Sequence, residues 1–228
     1  DEVQPEPKGT YSFPQGVASG DPQAASVILW TRVVIGKDTG QAFGAVSLHV
    51  QGSADADFKT LVVDLPILAA EADDHTVRVV VTELAPATTY YYRFVAGQDV
   101  ISGQTRTAPD PAADAQVNLA WVSCQDYSAG HYGAYRQLII DDNARAEADK
   151  IHAIVHLGDM IYETRADGFQ SAIDDDYKPV MLSNRDGTPR AVSAFPKGGT
   201  RLAVTFATTV DDYRHLYKTF LADPDIQA

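Results

Sequence analysis

Three side chains that could bind one metal ion together, Cys124, Asp159 and Tyr162, fall within residues 124–162 of this chain. Cys124, the only cysteine, stands in Ser123-Cys124-Gln125-Asp126, while Asp159 and Tyr162 stand in His156-Leu157-Gly158-Asp159-Met160-Ile161-Tyr162. A thiolate is a soft, strongly donating ligand, whereas carboxylate and phenolate suit harder ions, so the trio could hold ferric iron or another transition metal. Gly158 permits the tight turn in which backbone approaches such an ion. Three residue types on two loops do not fix a geometry. A lone cysteine is also commonly a small buried hydrophobe, and spacing alone leaves both readings of Cys124 open.

Bringing these residues together requires a strand, a helix and a second strand. Val117, Leu119, Ala120, Trp121 and Val122 form a short apolar run that ends at Ser123, and residues 151–157 form another. Between them, residues 133–150 place Tyr135, Leu138 and Ile139 at helical spacing, followed by the helix formers Ala144-Arg145-Ala146-Glu147-Ala148. Such a crossover is almost always right-handed and makes its two strands parallel. Polar sites in α/β folds gather at the carboxyl ends of parallel strands, so neighbouring strands would deliver Cys124 and Asp159 to one edge. Alternation turns His156 away from Asp159, which fits a hydrogen-bonded supporting role better than ligation. His131, in the loop after Cys124, is a weaker candidate for substrate contact. Ser123 lacks a suitably placed base and a nucleophile elbow, and the chain has no phosphate-cradling glycine loop and no Cys-x-x-Cys.

The first hundred residues read differently. Residues 26–34 are an apolar run containing Trp30. Val46, Leu48 and Val50, then Val77, Val79 and Val81, then Tyr90, Tyr92 and Phe94 recur at every second position. Turn clusters at residues 36–40 and 96–99 separate the runs, and several short strands with turns between them predict a β-sandwich. Leu84-Ala85-Pro86-Ala87-Thr88-Thr89-Tyr90 resembles the fibronectin type III stretch in which a tyrosine hydroxyl returns to upstream backbone. Trp30, Tyr90 and Tyr92 are expected in the core. A proline-bearing polar stretch, Pro109-Asp110-Pro111-Ala112-Ala113-Asp114, marks a domain boundary.

Composition narrows the partners. The chain has 228 residues and a net charge of −13, from 18 Lys+Arg against 31 Asp+Glu. Its averaged field repels polyanions, which argues against nucleic-acid binding, so a phosphate would have to be held locally. One cysteine makes no internal disulfide. No apolar run approaches the roughly twenty residues that span a bilayer. The chain opens Asp1-Glu2-Val3-Gln4-Pro5 without an initiator Met or an apolar leader, as a processed mature chain begins. Further on, residues 163–206 have weak periodicity, the character of a lid or a disordered loop. The triplet Asp174-Asp175-Asp176 reads as a solvated charge run before a calcium site. Residues 208–221 predict an amphipathic helix with Tyr213, Leu216, Tyr217 and Phe220 on its buried stripe.

In order along the chain, Phe13-Pro14-Gln15-Gly16-Val17-Ala18-Ser19-Gly20-Asp21-Pro22, Val27-Ile28-Leu29-Trp30-Thr31-Arg32, Ser123-Cys124-Gln125, Ala134-Tyr135-Arg136, His156-Leu157-Gly158-Asp159 with Ile161-Tyr162-Glu163, and Asp212-Tyr213-Arg214 resemble the successive blocks of the PhoD-like alkaline phosphatase and phosphodiesterase family. That resemblance implies two domains: an all-β fibronectin/Ig-like sandwich over residues 1–108, a linker over 109–116, and over 117–228 the first part of an α/β (αββα) calcineurin-like metallophosphoesterase domain. It implies that Cys124, where most metallophosphoesterases have aspartate, ligates Fe3+, that Asp159 bridges Fe3+ and Ca2+, and that Tyr162 completes the iron's share. The implied activity is hydrolysis of phosphate monoesters or diesters, small-molecule or lipid, by a periplasmic or secreted enzyme whose signal peptide has been removed. Phospholipase D or phosphotriesterase chemistry on the same fold is the neighbouring alternative. The family continues into a Trp-Asp-Asp-His-Glu type motif and further ligands not found in these residues, so a C-terminal fragment of the same enzyme is expected as a second chain. From another class, a fibronectin-like binding or adhesion module with a degenerate second domain remains the competing reading.

Overall fold

The computed structural model describes residues 8–36, 44–165, 172–202 and 204–228, and among them the chain is mostly β-strand with few helices. Two compact units divide it, Asp1–Gln116 and Val117–Ala228.

The first unit contains β1 (Tyr11–Ser12), β2 (Val17–Gly20), β3 (Val27–Arg32), β4 (Val34–Ile35), β5 (Val46–Ser53), β6 (Val63–Ala69), β7 (Thr76–Val81), β8 (Thr89–Ala96) and β9 (Asp99–Arg106). All pair antiparallel, in a three-stranded sheet ordered β2-β3-β7, a four-stranded sheet ordered β6-β5-β8-β9, and the small pair β1-β4. Alternation decides which side chains turn inward. Val27 and Leu29 from β3, Val77 and Val81 from β7, Val46, Leu48 and Val50 from β5, and Tyr90, Tyr92 and Phe94 from β8 meet in one core.

Trp30 is not part of that core. It is half-buried on the opposite face of β3 from Val27, Leu29 and Thr31, opposite Arg78, so its bulk did not override the pleat. Strands β2, β6 and β9 escaped the period-two reading because their exposed faces are mixed. In β6, Pro66 cannot donate to a ladder, and the strand tolerates it because it lies at a sheet edge. A closer constraint sits opposite Tyr92: a Cβ on Gly103 would come within 2.6 Å of the tyrosine ring, so only glycine lets the ring lie flat across β9. Tyr90 closes its corner by accepting a hydrogen bond from the Ala85 N–H at 2.9 Å. Beyond Gly36, the turn expected over residues 36–40 lies outside the described residues.

In the second unit, β10 (Leu119–Val122) and β11 (Ala153–His156) pair in parallel, with Leu119 opposite Ala153 and Val122 opposite His156. Helix α1 (Gly133–Asn143) lies between them in sequence. It stops well short of residue 150 despite the helix formers that follow, because the Asp142 carboxylate takes the Ile151 N–H at 2.8 Å and draws the chain toward β11. After β12 (Ala172–Ile173), β13 (Pro179–Val180), β14 (Gly199–Arg201) and β15 (Val204–Phe206) come α2 (Val210–Phe220) and the short α3 (Pro224–Gln227).

Tyr127, Tyr132, Val192, Ala207, Leu216 and Phe220 form the second core. Val192 belongs to the stretch expected to be a lid or a disordered loop, parts of which (166–171 and 203) are outside the described residues. Its neighbour Arg190 is 2% exposed. The Arg190 guanidinium pairs with Asp223 at 2.6 Å, donates to the Gly130 carbonyl at 2.8 Å and lies over the rings of Tyr127 and Tyr132. Asp174 accepts from the Asp176 and Lys178 backbone N–H groups, and Asp176 pairs with Lys178, so the acidic triplet forms an exposed turn.

Helix α2 corrects the expected stripe. Leu216 and Phe220 are buried, but Tyr213 and Tyr217 are each 43% exposed, and Asp212 takes the inward position one turn before Leu216. The cause is a capping box, in which Thr209 receives the Asp212 N–H and the Asp212 carboxylate receives the Thr209 N–H. That carboxylate also accepts backbone N–H groups from Lys197, Gly198 and Thr208. Burial pushes the Asp212 carboxyl toward neutrality, and these donors outweigh it, holding its pKa well below the ordinary 3.8.

Tyr90→Phe, which removes the corner hydrogen bond while keeping the ring, is expected to cost about 1 kcal/mol in urea unfolding. For Asp212, a lowered folded-state pKa means that its stabilisation is complete above the ordinary aspartate range and is lost as pH falls through the lower folded value. Asp212→Asn should therefore destabilise the protein most at neutral pH. In thermal melts the gap from the parent protein should narrow below about pH 4; a gap constant from pH 7 to pH 2 would contradict this.

Candidate active site

The ladder between β10 and β11 runs past the ends of both strands. Leu157 N–H donates to the Val122 carbonyl at 2.8 Å, Cys124 N–H to Gly158 at 3.1 Å, and Gln125 N–H to Asp159 at 3.0 Å. These bonds carry Cys124 and Asp159 to the same edge, with Sγ 3.4 Å from Oδ2. Tyr162 follows a short turn later, its hydroxyl 3.5 Å from the same carboxylate oxygen. All three predicted residues therefore meet at one point. Cys124 is exposed, as is Asp159, so the cysteine is no buried hydrophobe.

Backbone strain marks both loops. Cys124 has φ 59° and Asp159 φ 54°, left-handed conformations that cost an L-residue about 1–2 kcal/mol. Gly158, at φ 129°, occupies a region open to glycine alone. Such strain persists only where the surroundings over-determine it, and it concentrates at functional sites.

A thiol, a carboxyl and a phenol, each anionic once its proton leaves, face one another here. Among the described residues no Lys or Arg pairs with Asp159. Partial burial pushes the Tyr162 phenol up to about 12, assisted by its hydrogen bond to Cys124 and the nearby Asp159 charge. A cation would relieve all three groups at once, so the donor set fits a metal. These are only three donors. Among the described residues no three His, Cys, Asp or Glu side chains gather as a metal site, and Tyr162 is the donor outside that set.

On one side of the trio, Cys124 lines a cleft of about 530 Å³ together with Trp121, Asp126, His131, Tyr132 and Tyr135, and Asp159 and Tyr162 lie outside that lining. Asp126 accepts the Ser128 and Ala129 N–H groups and shapes the turn, while burial moves its carboxyl above the ordinary range. His156 receives the Gly158 N–H on Nδ1 at 3.3 Å, which places its proton on Nε2, where it meets no partner among the described residues. It supports the turn before Asp159 and makes no contact with the trio. His131 lines the cleft and is exposed.

Residues 2–132 match the family described as PhoD-like phosphatase, N-terminal domain, and residues 119–228 match PhoD-like phosphatase. The chain belongs to the PhoD-like phosphatase family. Alkaline phosphatase D of Bacillus subtilis (strain 168) is 30% identical to it over 223 residues, which are 96% of this chain and 33% of that protein. A solved structure of PhoD aligns with a TM-score of 0.70 at 28% identity, over 97% of this chain and 37% of the other. The chain thus spans about a third of the length of the PhoD relatives it matches.

Strain at Asp159 is separable from its chemistry. With the side chain lost in either variant, Asp159→Gly should be more stable than Asp159→Ala by about 1 kcal/mol in chemical unfolding, because only alanine still pays for a left-handed backbone. Equal stabilities would mean that the turn relaxes.

Proposed function

We propose that this chain supplies the first strand-end ligands of a metal-dependent hydrolase of phosphate esters. PhoD-like phosphatases are in general metal-dependent. The observation that carries the reading is the convergence of Cys124, Asp159 and Tyr162 at the ends of two parallel strands, within 3.5 Å of one shared carboxylate oxygen. In the finer form, residues 1–108 are a fibronectin-like sandwich, 109–116 a linker, and 117–228 the opening of an αββα metallophosphoesterase domain. The order of three strands against four in the first unit supports the sandwich.

Cys124 and Tyr162 would hold Fe3+, and Asp159 would be shared between Fe3+ and Ca2+. Bound cations supply charge neutralisation of the phosphoryl oxygens and alignment for in-line displacement. The roles of the chain itself are positional. The extended ladder fixes the distance between thiolate and carboxylate, and Gly158 lets the turn before Asp159 adopt φ 129°. A chain of net charge −13 can still receive an anionic ester, because local ion charge outweighs the averaged field. Three donors do not fill two coordination spheres, so the remaining ligands would come from outside these residues, in the manner of a partner fragment of the same enzyme. The substrates would be small-molecule or lipid phosphate esters met in the periplasm or outside the cell.

Full-length protein should hydrolyse p-nitrophenyl phosphate or its bis ester. Asp159→Asn should lower turnover by more than about 100-fold, the upper end of what loss of an outer-sphere partner costs, and by more than Tyr162→Phe does. Cys124→Ala should remove a visible thiolate-to-iron absorption band. Equal residual rates for the Asp159 and Tyr162 variants would contradict the bridging role. A colourless, inactive protein free of metal would contradict the enzyme reading.

A further inference from the structure

Among the described residues, Gln125 is the one whose main chain and side chain both hydrogen-bond from the Cys124 loop to the Asp159 loop. Its N–H donates to the Asp159 carbonyl at 3.0 Å, and its Nε2 donates to the next carbonyl, that of Met160, at 3.0 Å. Two successive carbonyls are therefore gripped from one residue, which fixes the peptide plane that follows the left-handed Asp159. The side chain is itself held. Oε1 accepts the Tyr135 hydroxyl from α1 at 2.6 Å, and the Tyr132 hydroxyl reaches the Gln125 carbonyl at 3.4 Å. A carbonyl can only accept, so Met160 dictates which end of the amide faces it, and Tyr135 must then be a donor. Gln125 is 5% exposed, so bulk solvent has little access to these bonds.

We propose that Gln125 is the positioning residue that sets the separation of Cys124 and Asp159, and that Tyr135 locks its amide in the orientation this demands. The proposal rests on the metal-site reading of Cys124, Asp159 and Tyr162. The Gln125 amide is committed to the Met160 carbonyl and the Tyr135 hydroxyl, so its role in this reading is not that of a ligand. It acts by holding a strained carboxylate ligand where the thiolate can share an ion with it, so its loss should appear as loosened metal binding rather than as a general loss of fold.

Gln125→Glu is nearly isosteric and places an acceptor against the Met160 carbonyl, so it separates hydrogen bonding from volume. The readout is Co2+ alone, added to metal-free full-length protein, followed through its dissociation constant and its thiolate-to-cobalt absorption. Gln125→Glu is expected to weaken Co2+ binding about 10- to 100-fold and to diminish the thiolate band. Tyr135→Phe should shift both in the same direction by less. The double variant should bind no more weakly than Gln125→Glu alone, because both substitutions cut one connected path. Unchanged Co2+ affinity and band in Gln125→Glu and Tyr135→Phe, with the band lost in Cys124→Ala, would overturn the positioning role and leave the metal site standing. Unchanged Co2+ binding in Cys124→Ala as well would overturn the metal-site reading and the proposal with it. Should Gln125→Glu fail to fold, Tyr135→Phe, which keeps its ring against Tyr132, decides the question alone.

Discussion

Everything chemical in this protein depends on a parallel pairing that does not end where its strands do. Two strands of four residues each would ordinarily release their loops into solvent, free to diverge. Here the ladder bonds of Leu157, Cys124 and Gln125 carry the register forward and accompany left-handed backbone at both Cys124 and Asp159. The magnitudes balance. Each hydrogen bond contributes about 1 kcal/mol net, and each left-handed L-residue costs about 1–2 kcal/mol, so the bonds at the strand ends are of the same order as the strain they sustain. The site is held near balance, which is why one buried amide in the right place matters.

The two units solve their packing differently. The first buries a contiguous apolar core from two antiparallel sheets, in which Tyr92 and Phe94 meet edge to face. Among the described residues the second gathers a smaller cluster of six buried hydrophobic residues and fixes itself with polar groups, Asp212 receiving backbone donors from two segments and Arg190 gathering two aromatic rings and a carboxylate. Strands in parallel sheets are usually covered on both faces. Trp121 and Leu157, beside the site, are 72% and 65% exposed. Part of the exposed apolar surface of this unit therefore lies beside the site, while its interior holds the charged groups Arg190, Asp212 and Asp223.

Legibility in the sequence followed how local each cause is. β5 and β8 could be read because alternation is written in consecutive residues, and Cys124, Asp159 and Tyr162 could be grouped because one strand–helix–strand unit carries them. The end of α1 could not, since it is set by Asp142 reaching nine residues ahead to Ile151. On α2, the aromatic residues suggested the wrong inward face, although Thr209 followed three residues later by Asp212 is itself a readable capping signal. The Gly130 and Asp223 partners of Arg190 lie 60 residues before it and 33 after it, which no local pattern reveals. Gln125 stood beside the cysteine in plain view, but its importance comes from Met160 and Tyr135, brought to it only by folding.

Arg190 also bears on time. Its segment had the sequence character of a lid, yet swinging it outward would separate a buried guanidinium from Asp223, a loss of about 3–5 kcal/mol for such pairs. At tenfold per 1.4 kcal/mol, an open form would hold about one molecule in a hundred or far fewer. This stretch should therefore be seen opening only in rare partial-unfolding events, on the clock of slow amide exchange rather than the rhythm of turnover.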